Sequence, residues 1–144
     1  MVELMFVVFV GGIIMGSISL EFSGKIPQLR EAKASGDILA AVRDMRTAAV
    51  AQNENITWWI VDNYLVSWTD EDEDGVAEPE EMETISMSEE FTYSTYPAQG
   101  TFDTRGEHFT NFSFFPSMLV WVYGESATRL VSVSANGQVT EQTY

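Results

Sequence analysis

The chain has 144 residues, about one domain's length, and its 45% apolar fraction is enough for a core. It carries 22 acidic residues against 7 basic ones, a formal charge of −15, which excludes a phosphate-binding surface of clustered Lys and Arg and so disfavours nucleic acid and anionic lipid as partners. The absence of cysteine rules out disulfides, thiolate metal sites and cysteine nucleophiles, and the single histidine, His108, is expected as an exposed polar residue beside Glu107 in a loop.

The N-terminal stretch "MVELMFVVFVGGIIMG" is apolar or glycine apart from Glu3. Residues 4–20 carry no charge and would span roughly 26 Å as a helix, just enough for a hydrocarbon core. A cleavable signal peptide would need a basic start, and the only early charge is negative. A buried core helix rarely needs Val7, Val8, Phe9 and Val10 apolar on all sides. A membrane-held helix that later packs against copies of itself fits better. In either apolar medium Glu3 demands a partner of opposite charge. Gly11, Gly12 and Gly16 each cost about 1 kcal/mol relative to alanine inside a helix. They mark a section that is easy to unwind or to pack closely.

Pro27 is expected at a first turn or a bend. Beyond it Ala34, Ile38, Val42, Met45 and Ala49 recur at spacings of four, four, three and four. That is one apolar stripe on a helix, with Lys33, Asp37, Arg43 and Asp44 largely off it. Helix is therefore predicted from near the N-terminus to about Gln52, loosened between Gly11 and Gly24, with Gly36 a weak point. The chain divides into a helical part, 1–52, and a β head, 53–144.

After Asn53 the periodicity changes. "ITWWIV" and "YLVSW" are β-branched and aromatic runs around Asp62-Asn63, a hairpin signal. Shorter strands are expected at 84–87, 91–96, 112–115 and 118–123. In "RLVSVSANGQVTEQ" the Asn136-Gly137 pair suits a type I′ turn, and Val131 and Val133 alternate with serines as in a half-buried strand. Trp58, Trp59, Trp68 and Trp121 read as core and rim packing. The fold class is α+β: a long N-terminal helix carrying an antiparallel β-sheet or sandwich head.

"DEDEDGVAEPEE", residues 70–81, carries the most specific chemistry. Asp70, Asp72, Asp74, Gly75 and Glu81 occupy positions 1, 3, 5, 6 and 12 of a D-x-D-x-D-G-x5-E calcium loop. Carboxylates at alternate positions converge as the chain curls. The Val76 carbonyl, Glu78 through water and a bidentate Glu81 complete the oxygen set. The flanks read as strands, so this is the loop without the two helices of an EF-hand. A solvated acidic linker is the alternative. A bound calcium would be structural, fastening a long loop in a protein without disulfides. Asn55 and Asn111 head short N-glycosylation patterns that arise often by chance.

These residues carry a resemblance. "MVELMFVVFVGGIIMG" and "KIPQLREAK" resemble the mature N-terminal segment of type IV pilins and type II secretion pseudopilins. "AAVRDMRTAAVAQNENITWWI", "WTDEDEDGVAEPEE" and "RLVSVSANGQV" are similar to the minor pilins and pseudopilins often called GspH and FimT. The resemblance implies a precursor in the inner membrane, cleaved by a prepilin peptidase to leave a methylated amine. It then implies an extracellular filament or a periplasmic pseudopilus. In that filament Glu3 would face a neighbouring subunit's terminal amine, and Leu4, Phe6, Val7, Phe9 and Val10 would form the helical core. Breaking such a buried pair costs roughly 3–5 kcal/mol. Two features depart from the family: only Met1 and Val2 precede Glu3, where four residues are usual, and Gln138, Val139 and Thr140 stand where DNA-binding members carry arginines.

The expected function is thus a structural filament subunit, polymerising with itself or with other pilins, with a head stabilised by calcium. The alternative is a membrane-anchored, calcium-dependent surface binding module that does not polymerise. An enzyme has little support, with no nucleophile motif and carboxylates clustered where a cation would neutralise them.

Overall fold

The computed structural model describes residues 2–70, 77–110 and 117–144; among the first 24 residues, Phe9 is the only side chain described. Helix α1 runs unbroken over Val2–Gln52, through Gly11, Gly12, Gly16 and Pro27. Pro27 therefore lies inside the helix, not at its first turn, and removes the hydrogen bond that its own N–H would otherwise make one turn back. The helix ends where the sequence changes period. Asn53 takes a left-handed φ of 59°, and the Glu54 N–H donates to the Ala49 carbonyl at 3.2 Å. This is a Schellman cap, and asparagine tolerates the left-handed position better than most residues.

Among the described residues nine strands follow: β1 (Ile56–Val61), β2 (Tyr64–Thr69), β3 (Met82–Ser86), β4 (Thr92–Tyr96), β5 (Gln99–Phe102), β6 (His108–Thr110), β7 (Met118–Tyr123), β8 (Thr128–Val133) and β9 (Val139–Thr143). They form two antiparallel sheets, one ordered β3-β2-β1-β5-β6 and the other β4-β7-β8-β9. The chain switches sheet at β4, returns at β5 and switches again at β7.

One core joins helix and sheets. Ala34, Ile38, Val42, Met45 and Ala49 are all buried, and they pack with Ile56, Trp58, Leu65 and Phe102 of the first sheet and Met118, Val120, Val122, Val131 and Val133 of the second. The predicted stripe is the buried face, while Lys33, Asp37, Arg43 and Asp44 are exposed. Alternation explains the strands: Met118, Val120 and Val122 point inward from β7, as do Val131 and Val133 from β8. On the other face of the first sheet, the hydroxyls of Thr57 and Thr101 meet at 3.0 Å across β1 and β5.

The hairpin at Asp62-Asn63 forms as expected, with Asp62 at a left-handed φ of 51° and β1 paired to β2 from Val61–Tyr64 to Ile56–Thr69. The last hairpin departs from expectation. Gly137 takes φ 72°, but Asn136 does not adopt a positive φ, so the turn is not type I′. The Gly137 N–H bonds the Ser134 carbonyl at 2.8 Å and the Ser134 N–H bonds the Gln138 carbonyl at 3.0 Å. Asn136 braces this wider loop with its side chain, whose Oδ1 accepts from the Ser134 hydroxyl and the Gln138 N–H. That bracing replaces the backbone twist of the tighter turn.

His108 is a second correction. It is 2% exposed and begins β6, where its ring meets Phe102 edge-on at 5.1 Å and lies 6.0 Å from Trp58. Gly100 makes room for it, because a Cβ there would collide with the imidazole. The expected strand at 112–115 lies outside the described residues.

Candidate functional site

The N-terminal segment holds the proposed assembly residues. Glu3, Leu4, Phe6, Val7, Phe9 and Val10 fall on its first turns, and Phe9 is exposed. Among the described side chains of α1, every one buried in the core or at its edge comes from Glu31 to Ala49, while Phe9, Ile26 and Leu29 before them are exposed. Among the described residues no helix is long and apolar enough to cross a membrane. The side chains of the apolar run 4–20, Phe9 excepted, are outside that comparison.

The acidic loop springs from the β2–β3 hairpin. The ladder pairs Trp68 with Met82, and the Thr69 N–H extends it to the Glu81 carbonyl at 3.3 Å. Asp70 and Glu81, the first and last positions of the calcium pattern, are thereby brought to the same base. Glu81 turns inward: its Oε2 accepts the Trp68 indole N–H at 2.9 Å and the Glu78 N–H at 3.4 Å. The Glu81 N–H in turn bonds the Glu78 carbonyl at 3.1 Å. The base thus gathers the loop's two ends, with Glu81 engaged by Trp68 and by the Glu78 N–H. Asp72, Asp74 and Val76 lie outside the described residues. Among those described, no group of three acidic or histidine side chains is spaced to hold a metal.

The helix is fastened to the head by polar ties that no motif announced. The Ser35 hydroxyl donates to Glu141 Oε1 at 2.6 Å, and Arg129 Nη1 donates to the same oxygen at 2.7 Å. Burial alone would raise the Glu141 pKa, but the Ser35 hydroxyl and the Arg129 guanidinium hold it below the usual carboxylate value. Arg43 Nη2 reaches the Val139 carbonyl at 3.3 Å. Arg46 clamps two loops at once, Nε to the Gly106 carbonyl at 2.9 Å and Nη2 to the Asn136 carbonyl at 3.2 Å. Gly137 must be glycine for this junction: besides its φ, a Cβ would strike the Gly106 carbonyl oxygen and the Arg46 side chain. Asp103 shapes the Gly106 loop by accepting the Arg105 and Glu107 N–H groups at 2.9 and 2.8 Å.

At the neck, Glu31 is buried. Its Oε1 accepts the Ser126 N–H at 2.7 Å, and the carboxylate packs against Gly124, where any Cβ would collide with it. The sequence held a signal for this residue: Glu31 precedes Ala34 by three and Ser35 by four, so it continues the buried face by one turn.

No protein-family model and no curated protein sequence matches the chain. Solved structures do. The type IV minor pilin FimU of Pseudomonas aeruginosa superposes in two crystal forms at TM-scores of 0.58 and 0.60 with 17% identity, covering 77% and 80% of this chain and 91% and 90% of FimU. The minor pseudopilin EpsH from the type II secretion system of Vibrio cholerae superposes at 0.59 with 12% identity, covering 78% of this chain and 96% of EpsH. The chain therefore has the fold shared by type IV minor pilins and type II secretion pseudopilins, a long N-terminal helix followed by antiparallel sheets.

Proposed function

We propose that the chain is a structural subunit of a type IV pilus-like or pseudopilus filament, not an enzyme, and that it polymerises through the first half of α1. The observation that carries this reading is the division of labour along one helix. Residues from Glu31 to Ala49 build the head's core, while an uncharged run from residue 4 to 20 precedes them on the same continuous helix. The shared fold with FimU and EpsH supports it. Glu3 pairs with the terminal ammonium of a neighbouring subunit and sets the register. Leu4, Phe6, Val7, Phe9 and Val10 pack the fibre, and Gly11, Gly12 and Gly16 let that part of the helix loosen. Contacts that do not close into a ring propagate as a helical fibre. Before assembly the apolar run resides in the inner membrane, where a prepilin peptidase processes the precursor. Partners are other copies or other pilins, and nucleic acid is not among them. A calcium ion at the 70–81 loop stabilises the head.

The test is electron microscopy of material sheared from cells making the unaltered chain or Glu3→Ala. Filaments containing the chain should be present in the first and lost in the second, with a folded head in both. Equal filaments in both, or none in either, would refute the reading. A membrane-anchored module that never polymerises would give the second result.

A further inference from the structure

Glu31 is 1% exposed, and its Oε2 has no hydrogen-bond partner among the described residues. A buried carboxylate oxygen without a partner is costly, more so when charged. It lines a cleft of about 370 Å³ with Pro27, Arg30, Glu90, Phe91 and Glu125. Three carboxylates thus face one guanidinium. Arg30 does not serve Glu31: adjacent helix positions do not face each other, and Arg30 Nη1 reaches Glu90 at 3.3 Å. The loop is shaped around the buried carboxylate, since Gly124 alone admits it and Ser126 orients it.

We propose that this neck cleft receives the Lys25 ammonium of a second copy of the chain. The proposal rests on the filament reading above. A metal is the poorer occupant, because no three acidic groups here are spaced to hold one. A long cationic side chain instead reaches from one separated carboxylate toward the next. Among this chain's cations, Arg30, Arg43, Arg46, Arg105 and Arg129 are engaged within their own molecule. The two lysines, Lys25 and Lys33, are both exposed; Lys33 lies two residues after Glu31, whereas Lys25 lies six residues before it, about 9 Å of helix rise. A neighbour displaced by that distance along a shared axis brings its Lys25 level with the cleft. Helices pack about 8–10 Å apart, a gap a lysine side chain crosses. The ammonium would supply Oε2 with its missing donor.

The absence of native cysteine makes the contact testable by crosslinking. Lys25→Cys and Glu90→Cys, both exposed positions, are carried on separate copies and co-expressed as a minor fraction with the unaltered chain. Sheared filaments are then oxidised and run without reductant. A crosslinked dimer should form in the mixture and be far weaker with either variant alone. Filaments without that dimer would overturn the proposal while leaving the filament reading intact. So would a dimer from Lys33→Cys with Glu90→Cys in place of the Lys25→Cys pair. If the unaltered chain makes no filaments, the filament reading fails and this inference fails with it. As a second measurement, Glu31→Gln keeps an acceptor for Ser126. It should melt as the unaltered head does, yet give filaments that shear more readily; unchanged shear resistance would count against the proposal.

Discussion

Replacing Arg46 by leucine keeps much of the side chain's apolar stem but removes the clamp between the 103–107 and 134–138 loops. Two bonds to main-chain carbonyls are lost, one at 2.9 Å to Gly106 and one at 3.2 Å to Asn136. Hydrogen bonds from a charged donor contribute about 1.5–3 kcal/mol each when buried. Arg46 is half-buried and Asn136 is exposed, so the second bond counts for little and the total comes to about 2 kcal/mol. For a chain of this size that lowers the melting midpoint by roughly 4–8 °C. Thermal unfolding followed by circular dichroism measures the shift. Amide exchange at Gly137, whose N–H is held by Ser134, reports whether the loop opens locally. The comparison is Arg105→Ala, which breaks exposed pairs with Asp103 and Glu107 and should leave the midpoint nearly unmoved. If Arg46→Leu melts with the unaltered protein, or Arg105→Ala costs as much, then capture of main-chain carbonyls is not what holds the helix to these loops.

Ile38→Ala, at 2% exposure in the middle of the stripe, should cost about 2–5 kcal/mol in chemical denaturation, whereas Leu29→Ala, at 67%, should fall near zero. The Glu141 carboxyl is held below its usual pKa when folded, so its contribution is present above the unfolded value of about 4.3 and is lost as pH falls through the folded one. The stability gap between the unaltered protein and Glu141→Gln should therefore shrink as urea titrations move from neutral pH to below that window, and a gap independent of pH would refute the assignment. Calcium at 100 times its dissociation constant should stabilise the protein by about 2.7 kcal/mol. Asp72→Ala should abolish the gain, and identical melting with calcium or chelator would remove the metal from the account.

How much of this was readable in advance depends on where each element's specification resides. The stripe from Ala34 to Ala49 was legible because five apolar residues at helical spacing admit one face. β1, β2 and β7 were legible as β-branched and aromatic runs. β5 and β6 were not, since four and three residues, with Gly100 in the first, carry too little periodicity and form by pairing with β1 and with each other. His108 misled for the same reason: its burial is decided by a glycine eight residues away in sequence and by Trp58 across the sheet. The final turn looked like a two-residue hairpin because Asn-Gly is its usual signature, but the asparagine side chain imposed a longer loop. The acidic loop was visible as spacing alone; the closing of its base by Thr69 and the capture of Glu81 by Trp68 were not. Glu31 could have been placed on the buried face by counting back one turn, though its unserved oxygen could not.

Helix α1 is both the stalk that leaves the head and one wall of its interior. A tension applied to the stalk is therefore borne directly by Ile38, Val42 and Ala49 and by the arginine ties beside them, with no slack linker between. The head cannot shed the stalk and survive, because peeling it away would bare both sheets. Any shortened version made for biochemistry must keep the helix from Glu31 onward, since a cut at Gly36 would remove Glu31, Ala34 and Ser35 with their buried contacts to the head.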